Sequence, residues 1–154
     1  MGPTPIDQPK KSMIASFTGT KKGMTDKQKN IARGLISRAS EFHHGSCIGA
    51  DQEAGDIALS LGLKVIIHPP ILTKYKANCT GTEIREPKSY MVRDKDIVDE
   101  GDYLIATPKG FSEELRSGTW ATVRYARKKN KLIYIILPDG VMWMENTDKQ
   151  QLKW

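Results

Sequence analysis

The sequence predicts an α/β fold, a doubly wound parallel five-stranded sheet with helices on both faces. Three observations predict it. Short apolar runs alternate with stretches whose apolar residues recur at helical spacing, along most of the chain. The last such run, Lys131–Leu137 (KLIYIIL), is almost continuously apolar, as a strand covered on both faces should be. Glycine-bearing loops follow the strands where the chain turns toward a helix. Right-handed crossovers then give the strand order 3-2-1-4-5, reversing between the first and fourth strands.

Taken in order, Met13–Thr18 is the first strand and 19–23 the loop after it. Thr25 caps the next helix, with Gln28 completing a capping box. That helix, Asp26–Ala39, turns Ile31, Leu35, Ile36 and Ala39 inward. Glu41–His44 is the second strand, followed by a turn holding Gly45 and Gly49. A helix from Ala50 to Leu61 buries Ala54, Ile57, Ala58 and Leu61, and Gly62 ends it. Lys64–His68 is the third strand, stopped by Pro69-Pro70. A polar loop spans Ile71–Pro87, long enough to serve as a binding segment. Tyr90–Glu100 is a helix offering Met91, Ile97 and Val98 to the core. Asp102–Thr107 is the fourth strand, Pro108–Ser117 a second long loop, and Thr119–Lys129 the fourth helix. The fifth strand is followed by a tail, Pro138–Trp154, with Trp143 and Trp154 available for packing on the body or on a partner subunit. The expected organisation is a polar lead-in over 1–11, one domain over 12–138 and a tail over 139–154.

Length and charge narrow the function. One domain with a real core is expected from 154 residues. No run of about 18 apolar residues exists, so no membrane partner is expected. The start, MGPTPIDQPKK, has no apolar signal core, and Cys47 and Cys79 suit a reducing compartment; a cytoplasmic protein is expected. The balance of 24 basic and 18 acidic residues gives +6, compatible with nucleic acid or with phosphate-bearing small molecules. Nucleic acid is the less favoured partner, because no recognition helix, zinc-finger spacing or RNA-binding aromatic motif is present. Arg124, Arg127, Lys128 and Lys129 close a helix, where they complement its dipole.

Three loops converge at the predicted switch point: 19–23, 45–51 and 108–119. A strand, a glycine turn and a helix start, as in FHHGSCIGADQE, bring backbone N–H groups toward an anion. Against this stands the plain alternative of a tight βα turn. His43, His44, Cys47 and His68 have no zinc-ligand spacing, and adjacent His43 and His44 point to opposite faces of a strand, so no metal site is expected. His44, at the strand end, is a candidate ligand contact.

The segments FTG, HHGSCIGAD, YMVRDKDIVDEGDYLIATP and SGTWATVR resemble the SLOG superfamily of Rossmann-like domains, closest to its YspA-type branch, over about Ile14 to Pro138. That group also includes the DNA-processing protein A domain and the LOG phosphoribohydrolases, and similar proteins occur in phage and bacterial genomes. The resemblance implies a nucleotide or nucleotide-derived ligand, no cofactor, and a homo-oligomer. Enzymes of the LOG branch cleave the base from a nucleoside monophosphate, with a helical arginine and a glutamate after a PGGxGT motif. Arg93 lies where that arginine falls, and Gly118-Thr119 match the GT pair. Thr122 stands at the glutamate position, and the PGG is absent. A carboxylate for acid–base work would have to come from Asp51, Glu53, Glu113 or Glu114.

The candidate catalytic residues are therefore Asp51, Arg93 and Glu114. The candidate ligand-binding residues are Gly19, Thr20, Gly45, Ser46, Gly49, Ala50, Asp51, Arg93, Arg116, Ser117, Gly118 and Thr119. Each has a plain alternative. Arg93 pairs with Asp96 or Glu100 on its helix, Asp51 is a dipole partner, Thr119 is an N-cap, and Trp120 packs in the core or at a dimer interface rather than stacking on a base. Three functional readings stand: cleavage or transfer at an N-glycosidic bond, a non-catalytic sensor or sequestering module, and a nucleic-acid-binding protein.

Overall fold

Eleven elements alternate along residues 12–147, the part of the chain that the computed structural model describes. They are β1 (Ile14–Gly19), α1 (Asp26–Ile36), β2 (Glu41–His44), α2 (Ala50–Ser60), β3 (Lys64–Ile67), β4 (Glu83–Ile84), α3 (Tyr90–Glu100), β5 (Tyr103–Thr107), α4 (Gly118–Lys128), β6 (Leu132–Ile136) and β7 (Met142–Glu145). The 1–11 lead-in and Trp154 lie outside the described residues.

The sheet has seven strands, in the order β4-β3-β2-β1-β5-β6-β7, rather than five in the order 3-2-1-4-5. The five expected strands sit side by side within it and are parallel; β4 and β7 add the two edges. β4 is two residues long, inside the segment expected to be loop, and too short to carry a periodic signal. β7 folds back antiparallel on β6, pairing Ile135 with Trp143. The turn between them is Pro138-Asp139-Gly140, where Gly140 has φ +87° and its N–H reaches the Leu137 carbonyl at 2.8 Å. Pro-Asp-Gly between two apolar runs is a turn signature, so β7 had a legible signal in the sequence.

Alternation along the strands divides the core into two layers. Tyr103 and Ile105 of β5 join Phe17, Phe42, Leu35 and Ala54 under α1 and α2. Leu104 and Ala106 join Val98, Trp120, Val123 and Ala126 under α3 and α4. Trp120 is thus core. Met91 and Leu61, expected inside, are exposed: Met91 sits on the outer face of α3, and Leu61 follows the last turn of α2.

Two devices tie loops and the last strand to the helices. Thr25 and Gln28 form the capping box of α1, at 3.1 and 3.0 Å. The buried Gln28 amide also donates to the carbonyls of Pro108 and Ile136, both at 2.9 Å, tying the loops after β5 and β6 to α1. Arg127 of α4 grips Glu145 of β7 through Nε at 2.6 Å and Nη2 at 3.0 Å. Its Nη1 reaches Glu113, in the loop before α4, at 2.9 Å.

Candidate ligand-binding site

A cleft of about 520 Å³ opens at the carboxyl ends of β1 and β5, where the sheet order reverses. Its walls come from 17–22, from Gly45, Cys47 and Asp51, from Tyr75, from Tyr90, Arg93, Asp94 and Ile97 of α3, and from Lys109, Glu114 and 116–119. Five cations (Lys21, Lys22, Arg93, Lys109, Arg116) face three carboxylates (Asp51, Asp94, Glu114), so the cleft carries a cationic excess.

Of the residues singled out from the sequence, Gly19, Thr20, Gly45, Asp51, Arg93, Glu114, Arg116, Ser117, Gly118 and Thr119 line this cleft. Ser46, Gly49 and Ala50 do not. The 45–51 turn does not present its amides as an anion cradle, because the protein already uses most of them. Gly45 and Cys47 N–H donate to one oxygen of Asp51, at 3.1 and 3.2 Å. Ser46 N–H reaches His44 Nδ1, Ile48 N–H reaches the Tyr75 carbonyl, and Ala50 N–H reaches the Thr20 carbonyl. The glycines serve packing. A Cβ on Gly49, at φ +86°, would meet the Lys21 carbonyl at 2.4 Å, and one on Gly45 would meet Arg93 Nη1 at 2.6 Å.

Arg93 pairs with neither Asp96 nor Glu100, which are held by Lys88 and Arg85. It is buried, with Nη1 donating to the carbonyls of Gly45 and His68 and Nε to Asp94 Oδ1 at 2.5 Å. The guanidinium therefore staples the ends of β2 and β3 to α3 while one face lines the cleft.

The start of α4 differs from the 45–51 turn. Ser117, rather than Thr119, is the N-cap, its hydroxyl accepting from Trp120 N–H at 3.3 Å. Among the described residues, the N–H groups of Gly118 and Thr119 take no protein acceptor. A Cβ on Gly118 would meet nothing within 4 Å. These two donors sit at the positive end of an eleven-residue helix, in residues that line the cleft with Arg116.

Burial pushes the Asp51 carboxyl up to about 6, although Arg93 and the two amides pull the other way. Burial likewise raises Asp94, again against Arg93. Cys47 is pushed up to about 11 by burial and then by Asp51, so its thiol is not a nucleophile at neutral pH. Glu114 is half-exposed and pairs with Lys109 at 3.6 Å. Glu53 and Glu113 lie outside the cleft, in ion pairs with Lys29 and with Arg124 and Arg127. His44 is fully buried against Gly55 and makes no contact with the cleft; burial, then Arg93, lowers it to about 3.

No protein-family model matches the chain, and no curated protein does. Solved structures do. The molybdenum cofactor binding protein of the phototrophic bacterium Rippkaea orientalis superposes with TM-score 0.62 at 19% identity, over 82% of this chain and 77% of its own. The molybdenum cofactor carrier protein of Chlamydomonas reinhardtii gives 0.58 at 19%, over 81% and 76%. TM1055, a structural-genomics target, gives 0.59 at 12%, over 79% and 72%. The likeness is one of fold. It sets the chain among Rossmann-type α/β domains, including ones that hold a small molecule.

Sequence reasoning missed Asp94, Lys21, Lys22, Lys109, Tyr75 and Tyr90 in the cleft wall. Lys21 and Lys22 were legible as a basic pair in the loop after the first strand. Tyr75, with Lys21 Nζ 3.8 Å above its ring, comes from a long loop whose path no local pattern reveals. Asp94 adjoins Arg93 in sequence, but only its bond to that guanidinium shows that it turns to the same side.

Proposed function

We propose that the cleft binds an anionic, nucleotide-type small molecule, and that the chain is a SLOG-type domain of the YspA-like branch. The N–H groups of Gly118 and Thr119, which take no acceptor among the described residues and belong to the cleft wall, carry the reading. A phosphate there meets Arg116 and Lys109, while Lys21, Lys22 and Arg93 supply charge from the opposite wall. Gly19, Thr20, Gly45 and Ser117 line the cleft beside them, as do Tyr75 and Tyr90, whose rings carry Lys21 and Arg93 at 3.8 and 5.3 Å.

A second reading, cleavage or transfer at an N-glycosidic bond, is favoured by the carboxylates. Asp51, titrating at about 6, is suited to proton transfer near neutral pH, and Asp94 is a further acid in the same cleft. Arg93 would hold charge in that reaction and Glu114 would act from the rim. The Thr122 hydroxyl, at the position a glutamate takes in the LOG pattern, donates to the Gly118 carbonyl at 3.1 Å.

The experiment is thermal shift and product analysis with a panel of nucleoside monophosphates, cyclic nucleotides, single-stranded DNA and RNA, and molybdenum cofactor, the ligand named for two proteins of similar fold. Stabilisation without turnover supports a sensor or sequestering module, and release of free base supports the enzyme. Stabilisation by polynucleotide alone, with steep salt dependence, sinks the small-molecule reading. A homo-oligomer is also proposed, on the exposed side chains of Met91, Val92, Phe111 and Leu115 beside the cleft, with light scattering as its check.

A further inference from the structure

We propose that His43, His68 and Glu100 form a binding site for a divalent first-row transition metal of the zinc type, separate from the cleft. One ligating atom from each of the three lies within 4.8 Å of the others. None of the three lines the cleft. They come from different parts of the chain: His43 from β2, His68 from just after β3, and Glu100 from the last residue of α3. The sheet register places His43 opposite Ile66, so His43 and His68 rise on the same face, the one that α3 covers.

The donors are already oriented. His43 Nε2 is 2.5 Å from Glu41 Oε2, and His43 Nδ1 is 2.8 Å from His68 Nε2. A carboxylate on one ring nitrogen fixes the tautomer, leaving the lone pair on Nδ1 pointed into the cluster. That carboxylate–histidine pairing typically stands behind a metal-ligating imidazole. Both residues are buried, at 0% and 3% exposure, so the facing Nδ1 of His43 and Nε2 of His68 lie inside the protein.

Two imidazoles and a carboxylate form a donor set for Zn²⁺ or Co²⁺, rather than for Mg²⁺ or Ca²⁺, which take oxygen. Two nitrogens bound to one tetrahedral Zn²⁺ sit about 3.3 Å apart, so the rings part by about half an ångström on binding. The proton account closes without loss: His68 moves its proton from Nε2 to Nδ1, and both imidazoles bind as neutral ligands. Glu100 must exchange partners, because Arg85 now holds both its oxygens, at 3.0 and 2.9 Å. Arg85 is thus a built-in competitor for the metal. Water completes the fourth position.

The test is titration of full-length, tag-free, chelator-treated protein with Co²⁺, read by its visible absorption, and with Zn²⁺, read by calorimetry and thermal shift. One metal per chain with the intense visible bands of four-coordinate Co²⁺ is expected. Glu100→Gln weakens binding about tenfold or more, and Arg85→Gln, which releases Glu100, tightens it. Both substitutions are at the surface, so the test does not depend on His43 variants folding. Cys47→Ser leaves affinity unchanged. Absence of binding, binding that Glu100→Gln leaves intact, or an Arg85→Gln variant that binds no tighter each overturns the site.

Discussion

Arg93 and Gly45 are fitted to each other from two directions. The Arg93 guanidinium donates through Nη1 to the Gly45 carbonyl, and a methyl group on Gly45 would stand 2.6 Å from that same nitrogen. Glycine is needed there because the arginine occupies the space. Gly45→Ala therefore displaces a buried guanidinium and costs about 1–3 kcal/mol. Urea unfolding measures it, and an unchanged midpoint would show that Arg93 yields freely.

Gly118→Ala gives the opposite pattern. Nothing lies within 4 Å of the new methyl, so stability stays within about 0.5 kcal/mol. The methyl does narrow the space in front of the α4 amides, and affinity for a phosphate-bearing ligand falls about tenfold, or about 1.4 kcal/mol. Thermal shift with and without ligand separates the two effects. Equal ligand response in variant and parent would move the anion away from α4.

Removing the two cleft arginines separates structure from binding. Arg93→Ala leaves the carbonyls of Gly45 and His68 without their donor and costs about 2–4 kcal/mol. Arg116→Ala, at an exposed position with no ion pair among the described residues, changes stability by less than about 0.5 kcal/mol while weakening anion binding. An Arg116→Ala variant that binds normally would remove that side chain from the ligand shell.

Asp51 gives the pH dependence. Its carboxyl titrates at about 6 in the fold against 3.8 unfolded, so the folded state holds the proton more tightly. Its contribution to stability is complete below about pH 4, falls as pH rises to about 6, and levels off above. The full span is at most about 3 kcal/mol. Asp51→Asn keeps an oxygen for the Gly45 and Cys47 amides but cannot ionise. Its stability relative to the parent therefore rises across that window, as denaturation midpoints between pH 4 and 7 would record. Parallel curves for the two proteins would refute the assignment.

The inner strands were legible because their signal is collective. Lys131–Leu137 could be read from seven residues in a row, and Asp102–Thr107 from its run of apolar positions. β4 was not legible, because two residues have no period, whereas β7 was announced only by the Pro-Asp-Gly turn before it. The site divides in the same way. The convergence of three loops follows from topology, which the strand pattern fixes. The reason for Gly45 or Gly49 does not follow, because a glycine marks a place where a Cβ is excluded without naming what excludes it. Here the excluders are Arg93 and the Lys21 carbonyl, 48 and 28 positions away by numbering. Spacing along the chain gives no sign that His43 and His68 adjoin. Their proximity is made by strand register, and Glu100, whose carboxylate lies near both, stands at the end of a helix.

Arg127 links the outermost hairpin to the mouth of the cleft. With Glu145 on one side of its guanidinium and Glu113 on the other, the final strand works as an anchor line for the rim that carries Glu114 and Arg116. One guanidinium thus joins the last strand of the sheet to the segment that forms one side of the cleft.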